Sequence, residues 1–137
     1  MSNEPARTIR VVAAVVEENG RYLITQRRPN AVLALLWEFP GGKVETGESD
    51  AHALAREMRE RLGADVSVGQ LISYVSHPYE HYTVDLHLYE CRLGGQGANA
   101  LECRAVHAFE WVRSGDFERY PFTPADEASM SKLLGVE

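Results

Sequence analysis

The sequence predicts an α/β fold in a single domain, residues 1–137. Three observations lead there. Strand-like segments dominate both halves of the chain, one amphipathic helical segment lies at the centre, and a second lies near the end. No repeat, low-complexity tract or linker divides them, and 137 residues suffice for one core.

The elements read in order as follows. Residues 8–16, rich in valine and alanine, form a strand, Asn19-Gly20 a turn, and residues 21–26 the returning strand. Pro29, Pro40 and the pair Gly41-Gly42 mark 29–42 as a loop with a short extended piece. A helix follows, capped by Ser49 or Asp50, with Glu48 placing negative charge near its N-terminus and Gly63 ending it. Its apolar stripe is Ala51, Leu54, Ala55, Met58 and Leu62. Segments 64–77 and 81–93 read as strands. In the second, Tyr82, Val84, Leu86 and Leu88 face one way, and Thr83, Asp85, His87 and Tyr89 the other. Residues 94–100 are a flexible connector, 105–112 a late strand, and 123–135 a final helix with Pro124 and Ala125 in its first turn.

Composition removes several functions. A formal net charge of −6 argues against docking on a nucleic acid polymer, where a basic face supplies most of the affinity. A small polyphosphate remains open, because a divalent cation can bridge like charges. No apolar run approaches the roughly 20 residues of a membrane helix, and "MSNEPARTIR" lacks the apolar core of a secretory signal. Cys91 and Cys103 supply neither a disulfide framework nor a CxxC metal pair; they read as buried or partly buried free thiols in a cytoplasmic protein. His77, His81 and His87 fit no compact ligand spacing.

The central helix carries the chemistry. Glu57 and Glu60 lie three apart, so they share a face, and Arg56 and Arg61 flank them. Two carboxylates held together need positive charge between them: either a divalent metal such as Mg²⁺, or the arginines of a solvated, ion-paired face. Gly41-Gly42, just upstream, lets backbone approach the same point.

From Gly42 the chain runs G-x5-E-x7-R-E-M-x-E-x-x-G-A, with Glu48, Arg56, Glu57, Glu60 and Gly63 in place. This resembles the Nudix hydrolase box, G-x5-E-x7-R-E-U-x-E-E-x-G-U, U being bulky and apolar; Ala64 is a small stand-in at the last position. "LITQRRPNAVLALLWEFPGGKVE" and "YPFTPADEASM" resemble the opening and final segments of MutT-type nucleotide pyrophosphohydrolases, so the likeness covers most of the chain. The resemblance implies an α/β/α sandwich around a mixed β-sheet. It implies Mg²⁺ or Mn²⁺ as cofactor and hydrolysis of a nucleoside triphosphate to monophosphate and pyrophosphate, with oxidised or non-standard nucleotides such as 8-oxo-dGTP as substrates. By position it assigns Glu57 and Glu60 as metal-ligating and base-supplying carboxylates, the Gly41 carbonyl as a backbone ligand, and Arg56 and Glu48, with Gly42 and Gly63, as support for the box. Arg27 and Glu38 match residues beside the nucleotide, and Asp126 matches a reader of the base edge. Each has a plainer alternative: a surface charge, a strand-end acid and an exposed first-turn residue. Trp37 and Trp111 read as core rather than base platforms, while His87 or Tyr89 is a candidate for the pocket wall. The protein is expected to act as a monomer or homodimer.

Two positions depart from the pattern. Arg61 stands where the box has a second glutamate, and a guanidinium neither deprotonates nor ligates a metal; it can pair with Glu57 instead. Ala105 stands near the position of a further carboxylate, which Glu102 replaces only if its loop bends suitably. Two other functions compete with hydrolysis, the first on account of these two positions and the second on account of the "LWEFP" segment. One is a non-catalytic nucleotide-binding module. The other is an oxidised-purine recognition domain of the adenine DNA glycosylase kind, which the charge disfavours.

Overall fold

The computed structural model describes residues 7–133, apart from the side chain of Lys132. In chain order its elements are β1 (Arg7–Val15), β2 (Glu17–Glu18), β3 (Arg21–Gln26), β4 (Trp37–Glu38), β5 (Gly41–Lys43), α1 (Asp50–Leu62), β6 (Val66–Pro78), β7 (Tyr82–Leu93), β8 (Ala108–Val112) and α2 (Pro124–Leu133). Short 3₁₀ helices occupy Gly97–Ala100 and Ser114–Arg119. The stretch expected to be a loop with one short extended piece holds two, β4 and the start of β5; the late strand starts at 108 rather than 105, and residues 134–135 of the expected last helix lie outside the described residues.

The first sheet runs β5-β1-β7-β6, with β1 parallel to β7 and the outer pairs antiparallel. Placing β1 inside explains its unbroken apolar run, because both of its faces are covered. Val12, Ala14 and the adjoining Val16 pack with Ala53, Leu54, Met58 and Leu62 of α1. Ala13 and Val15 pack on the opposite face with Ala125 and Met130 of α2. The expected mixed sheet between helices is therefore present. A second, antiparallel sheet lies beside it, in which β3 pairs with β2, β4 and β8. Asn19 and Gly20, both at positive φ, make the tight turn between β2 and β3.

Helix α1 is tied down at both ends. Ser49, not Asp50, is its cap, accepting from the His52 N–H at 3.1 Å. Asp50 instead takes the Arg10 guanidinium at 2.8 and 2.7 Å and the Tyr89 hydroxyl at 2.5 Å, fastening the helix to β1 and β7. The Arg10 guanidinium holds the Asp50 carboxyl down at about 2, while burial, with Asp50 beside it, pushes the Tyr89 phenol up to about 12. At the other end Gly63 adopts φ 65°, and its N–H reaches the Arg59 carbonyl at 3.0 Å. The carbonyls still open accept from the following loop: Leu62 from Glu102 at 2.8 Å, Arg61 from Arg104 and Ala105 at 3.0 and 3.1 Å. The buried stripe is rotated from the one expected. Ala53 is buried while Ala51 is exposed, because the sheet also covers Glu57. Cys91 is buried, and burial raises its thiol to about 11; Cys103 is exposed, contrary to expectation.

Gly41 is where β5 meets β1 most closely: a Cβ there would lie 1.9 Å from the Val12 carbonyl oxygen, which is rigid backbone. Gly41→Ala is expected to cost about 2–3 kcal/mol of stability, the cost of overpacking. A urea or thermal unfolding curve matching the parent's would show that β5 yields more easily than this geometry implies.

Candidate active site

Glu57 is buried on the face of α1 that meets β5. It fits only because residue 42 is glycine, since a Cβ there would sit 2.0 Å from Glu57 Oε2. A carboxylate in that position needs compensation, and two arginines on its own helix provide it. Arg56 Nη1 donates to Oε1 at 2.8 Å, and Arg61 Nε donates to Oε2 at 2.6 Å. Arg56 also binds Glu48 through two bonds of 2.8 Å, the Lys43 carbonyl at 3.0 Å and Glu60 Oε2 at 3.2 Å. The Arg56 guanidinium, with the Glu45 N–H, holds the Glu48 carboxyl at about 2. On the far side of Arg61, Nη1 lies 3.9 Å from Glu38, which accepts from Arg27 Nη1 at 3.2 and 3.4 Å. Glu48, Arg56, Glu57, Arg61, Glu38 and Arg27 therefore form one row of alternating charge.

Two clefts open along this row. One, of about 380 Å³, is walled mainly by apolar side chains, among them Ile9, Val11, Leu33, Val84 and Leu86, with Tyr79 and Tyr82 stacked 5.2 Å apart. Asp126 and Thr123 also face it. The other, of about 370 Å³, is bounded by Glu57, Glu60, Arg28, Asn30 and Ala105. Arg27, Glu38 and Arg61 line both, so they form the sill between the clefts.

The structure brings most of the expected residues together. Glu57, Glu60, Arg27, Glu38 and Asp126 each border at least one of the two clefts; Gly41 and Gly42 border the apolar one; Arg56 and Glu48 brace the helix behind them. Gly63 ends the helix, away from both clefts. Asp126 is not an exposed first-turn residue. It is buried, accepting from the Phe39 N–H at 2.9 Å and the Thr123 hydroxyl at 2.6 Å. Burial, reinforced by Glu38, raises its carboxyl to about 7, and burial likewise raises Glu38 against the opposing pull of Arg27 and Arg61. Glu102 turns to Arg104 at 3.0 Å and stays outside the second cleft, where Ala105 takes its place. His87 and Tyr89 do not wall the pocket, since their strand face points towards Asp50. Trp37 is core. Sequence reasoning missed the Tyr79–Tyr82 stack; the one available signal was two tyrosines bracketing the turn between β6 and β7.

A family model described as the NUDIX domain matches residues 11–132. The chain belongs to the Nudix hydrolases. It is 38% identical over 130 residues to a CTP pyrophosphohydrolase of Escherichia coli, covering 95% of this chain and 94% of that one. It is 31% identical over 124 residues to the 8-oxo-dGTP diphosphatase of the same organism, covering 89% and 92%. The solution structure of the E. coli ORF135 protein superposes with a TM-score of 0.81 at 33% identity, over 95% of this chain and 91% of that one.

Nudix hydrolases generally use a divalent metal, and the donors here suit one in part. Glu57 and Glu60 offer two carboxylates on one helix face beside an open cleft. Among the described residues no third acidic, histidine or cysteine side chain joins them, and both oxygens of Glu57 are held by guanidinium groups. The donors therefore fit a single ion that also draws oxygens from substrate, once Arg61 releases Glu57.

The raised Asp126 carboxyl makes stability depend on pH. Between about 4 and about 7 the folded chain holds a proton that the unfolded chain has lost, so stability falls as pH rises through that window. Asp126→Asn is expected to flatten the fall and to add roughly 1–3 kcal/mol at pH 8. Unfolding curves at pH 5 and pH 8 measure it, and an unchanged pH slope in the variant would exclude Asp126 as the source.

Proposed function

We propose that the protein hydrolyses nucleoside triphosphates to the monophosphate and pyrophosphate, with Mg²⁺ or Mn²⁺ as cofactor. The observation that carries this reading is the pair of clefts joined across Arg27, Glu38 and Arg61, one apolar and aromatic, the other carboxylate-lined. A nucleoside suits the first and a polyphosphate the second. The names of the relatives, a CTP pyrophosphohydrolase and an 8-oxo-dGTP diphosphatase, supply the substrate class. A net charge of −6 favours a small nucleotide over a nucleic acid polymer.

In this reading Glu57, Glu60 and the Gly41 carbonyl would hold the ion, which would supply neutralisation of phosphate charge and acidification of the attacking water. The chain's own groups do the rest. Arg56 fixes Glu57, Glu60 and Glu48 relative to β5 through the Lys43 carbonyl. Glu60 is 59% exposed and its Oε1 accepts no hydrogen bond among the described residues, so it is the carboxylate free to take the proton from water. Asp126 reads the base edge. Each of its oxygens keeps a lone pair after accepting from Phe39 and Thr123.

A second reading, a nucleotide-binding module without turnover, draws on the Arg61–Glu57 pair and on Ala105. Pyrophosphate release from CTP, the dNTPs and 8-oxo-dGTP, with Mg²⁺ and with Mn²⁺, separates the two. Hydrolysis predicts turnover of at least one substrate, and a drop in kcat of about a hundredfold or more in Glu57→Gln and in Glu60→Gln. Nucleotide binding with no pyrophosphate from any of them would establish the module instead.

A further inference from the structure

We propose that Arg61 is a built-in cation of the phosphate path: it neutralises Glu57 where a divalent ion would, and it binds the nucleotide's phosphates directly, so that the protein holds a nucleoside triphosphate without metal. The inference rests on the proposed nucleotide site. It adds a ligand contact made by the residue that breaks the box pattern.

Position comes first. Arg61 lines both clefts, so a nucleotide with its base in the apolar cleft and its phosphates beside Glu57 and Glu60 passes over this guanidinium. Spare capacity comes second. A guanidinium carries five N–H donors. Arg56 engages all three of its nitrogens, with Glu48, Glu57, Glu60 and the Lys43 carbonyl. Among the described residues the Arg61 side chain makes one hydrogen bond, from Nε to Glu57, and its Nη1 lies 3.9 Å from Glu38, beyond hydrogen-bonding distance. Four donors therefore remain for a ligand at the sill.

Mobility comes third. The Arg61 main chain is fixed, because its carbonyl accepts from the N–H groups of Arg104 and Ala105. Its side chain is 30% exposed and lines the second cleft, whose wall at residue 105 is an alanine. Glu57 also has a second partner. When Arg61 turns to a phosphate, Arg56 Nη1 still donates to Glu57 Oε1 at 2.8 Å, so the buried carboxylate is not left bare. Arg61 can thus move between Glu57 and a phosphate at modest cost, while a metal ion on Glu57 must first displace it.

Two binding measurements test this without reference to turnover. The first is calorimetry of an α,β-methylene nucleoside triphosphate in EDTA, with the parent, Arg61→Gln and Arg61→Lys. The second is a titration of Mn²⁺ alone, read by electron paramagnetic resonance, with the parent and Arg61→Glu. The parent should bind the analogue in EDTA; Arg61→Gln should weaken that binding about tenfold or more, with partial recovery in Arg61→Lys. Arg61→Glu should bind Mn²⁺ at least about tenfold more tightly than the parent. Equal affinity of the parent and Arg61→Gln in EDTA would overturn the proposal, as would equal Mn²⁺ affinity of the parent and Arg61→Glu. A parent that binds the analogue only with metal present overturns it too but leaves the nucleotide site standing. No binding under either condition overturns both.

Discussion

The buried carboxylate of Glu57 is the constraint around which the rest of the site is arranged. It lies on a helix face that packs against a sheet, where an unpaired charge is not tolerated. Its position requires glycine at residue 42, guanidinium groups on both sides, and further acids to balance those guanidiniums. The outcome is three acids and three arginines alternating from Glu48 to Arg27. Such a row gains little from any one pair. Its members depend on one another, because a buried carboxylate such as Glu57 that lost both guanidiniums would be stranded at a cost of about 3–5 kcal/mol.

The fold holds the main chain under this row in place. Asp50 fastens the start of α1 to β1 and β7, and the 102–105 loop closes its last carbonyls, so the helix cannot slide against β5. A backbone anchored in this way lets the Arg61 side chain turn while Glu57, Glu60 and Arg56 keep their places. Strain collects at the rim. Leu33 and Leu35 adopt φ 57° and 63°, unusual for bulky residues, in the loop that Arg27 holds through its Nε bond to the Val32 carbonyl at 2.6 Å. Local strain of this sort persists where the surroundings over-determine the backbone. Here it shapes the lip of the apolar cleft.

Much of the site was legible in the sequence because its signal is local. The box spacing set the helix, its glycine end and the shared face of Glu57 and Glu60. Helical geometry alone brought Arg61 back over Glu57, one turn later. What escaped was non-local. Nothing within residues 21–26 or 108–112 announces that β3 and β8 pair, so the second sheet was not foreseen. The Tyr79–Tyr82 stack and the turn of Glu102 towards Arg104 depend on how distant segments meet. The helix stripe was wrong at two of its five positions, with Ala53 and Glu57 buried in place of Ala51 and Ala55, since periodicity treats glutamate as polar. Here the glutamate is buried, and Ala53 is buried along with it.

Proposed hydrolysis and proposed metal-free binding share one central claim, that the two clefts are a single nucleotide site with Arg61 at its middle. A crystal structure with a non-hydrolysable nucleoside triphosphate analogue tests that claim most directly. It should place the base between the Tyr79–Tyr82 pair and Asp126, with the phosphates crossing Arg61 towards Glu57 and Glu60. An analogue seated elsewhere, such as the cleft of Arg21, Arg113 and Arg119 at the far end of the second sheet, would contradict it.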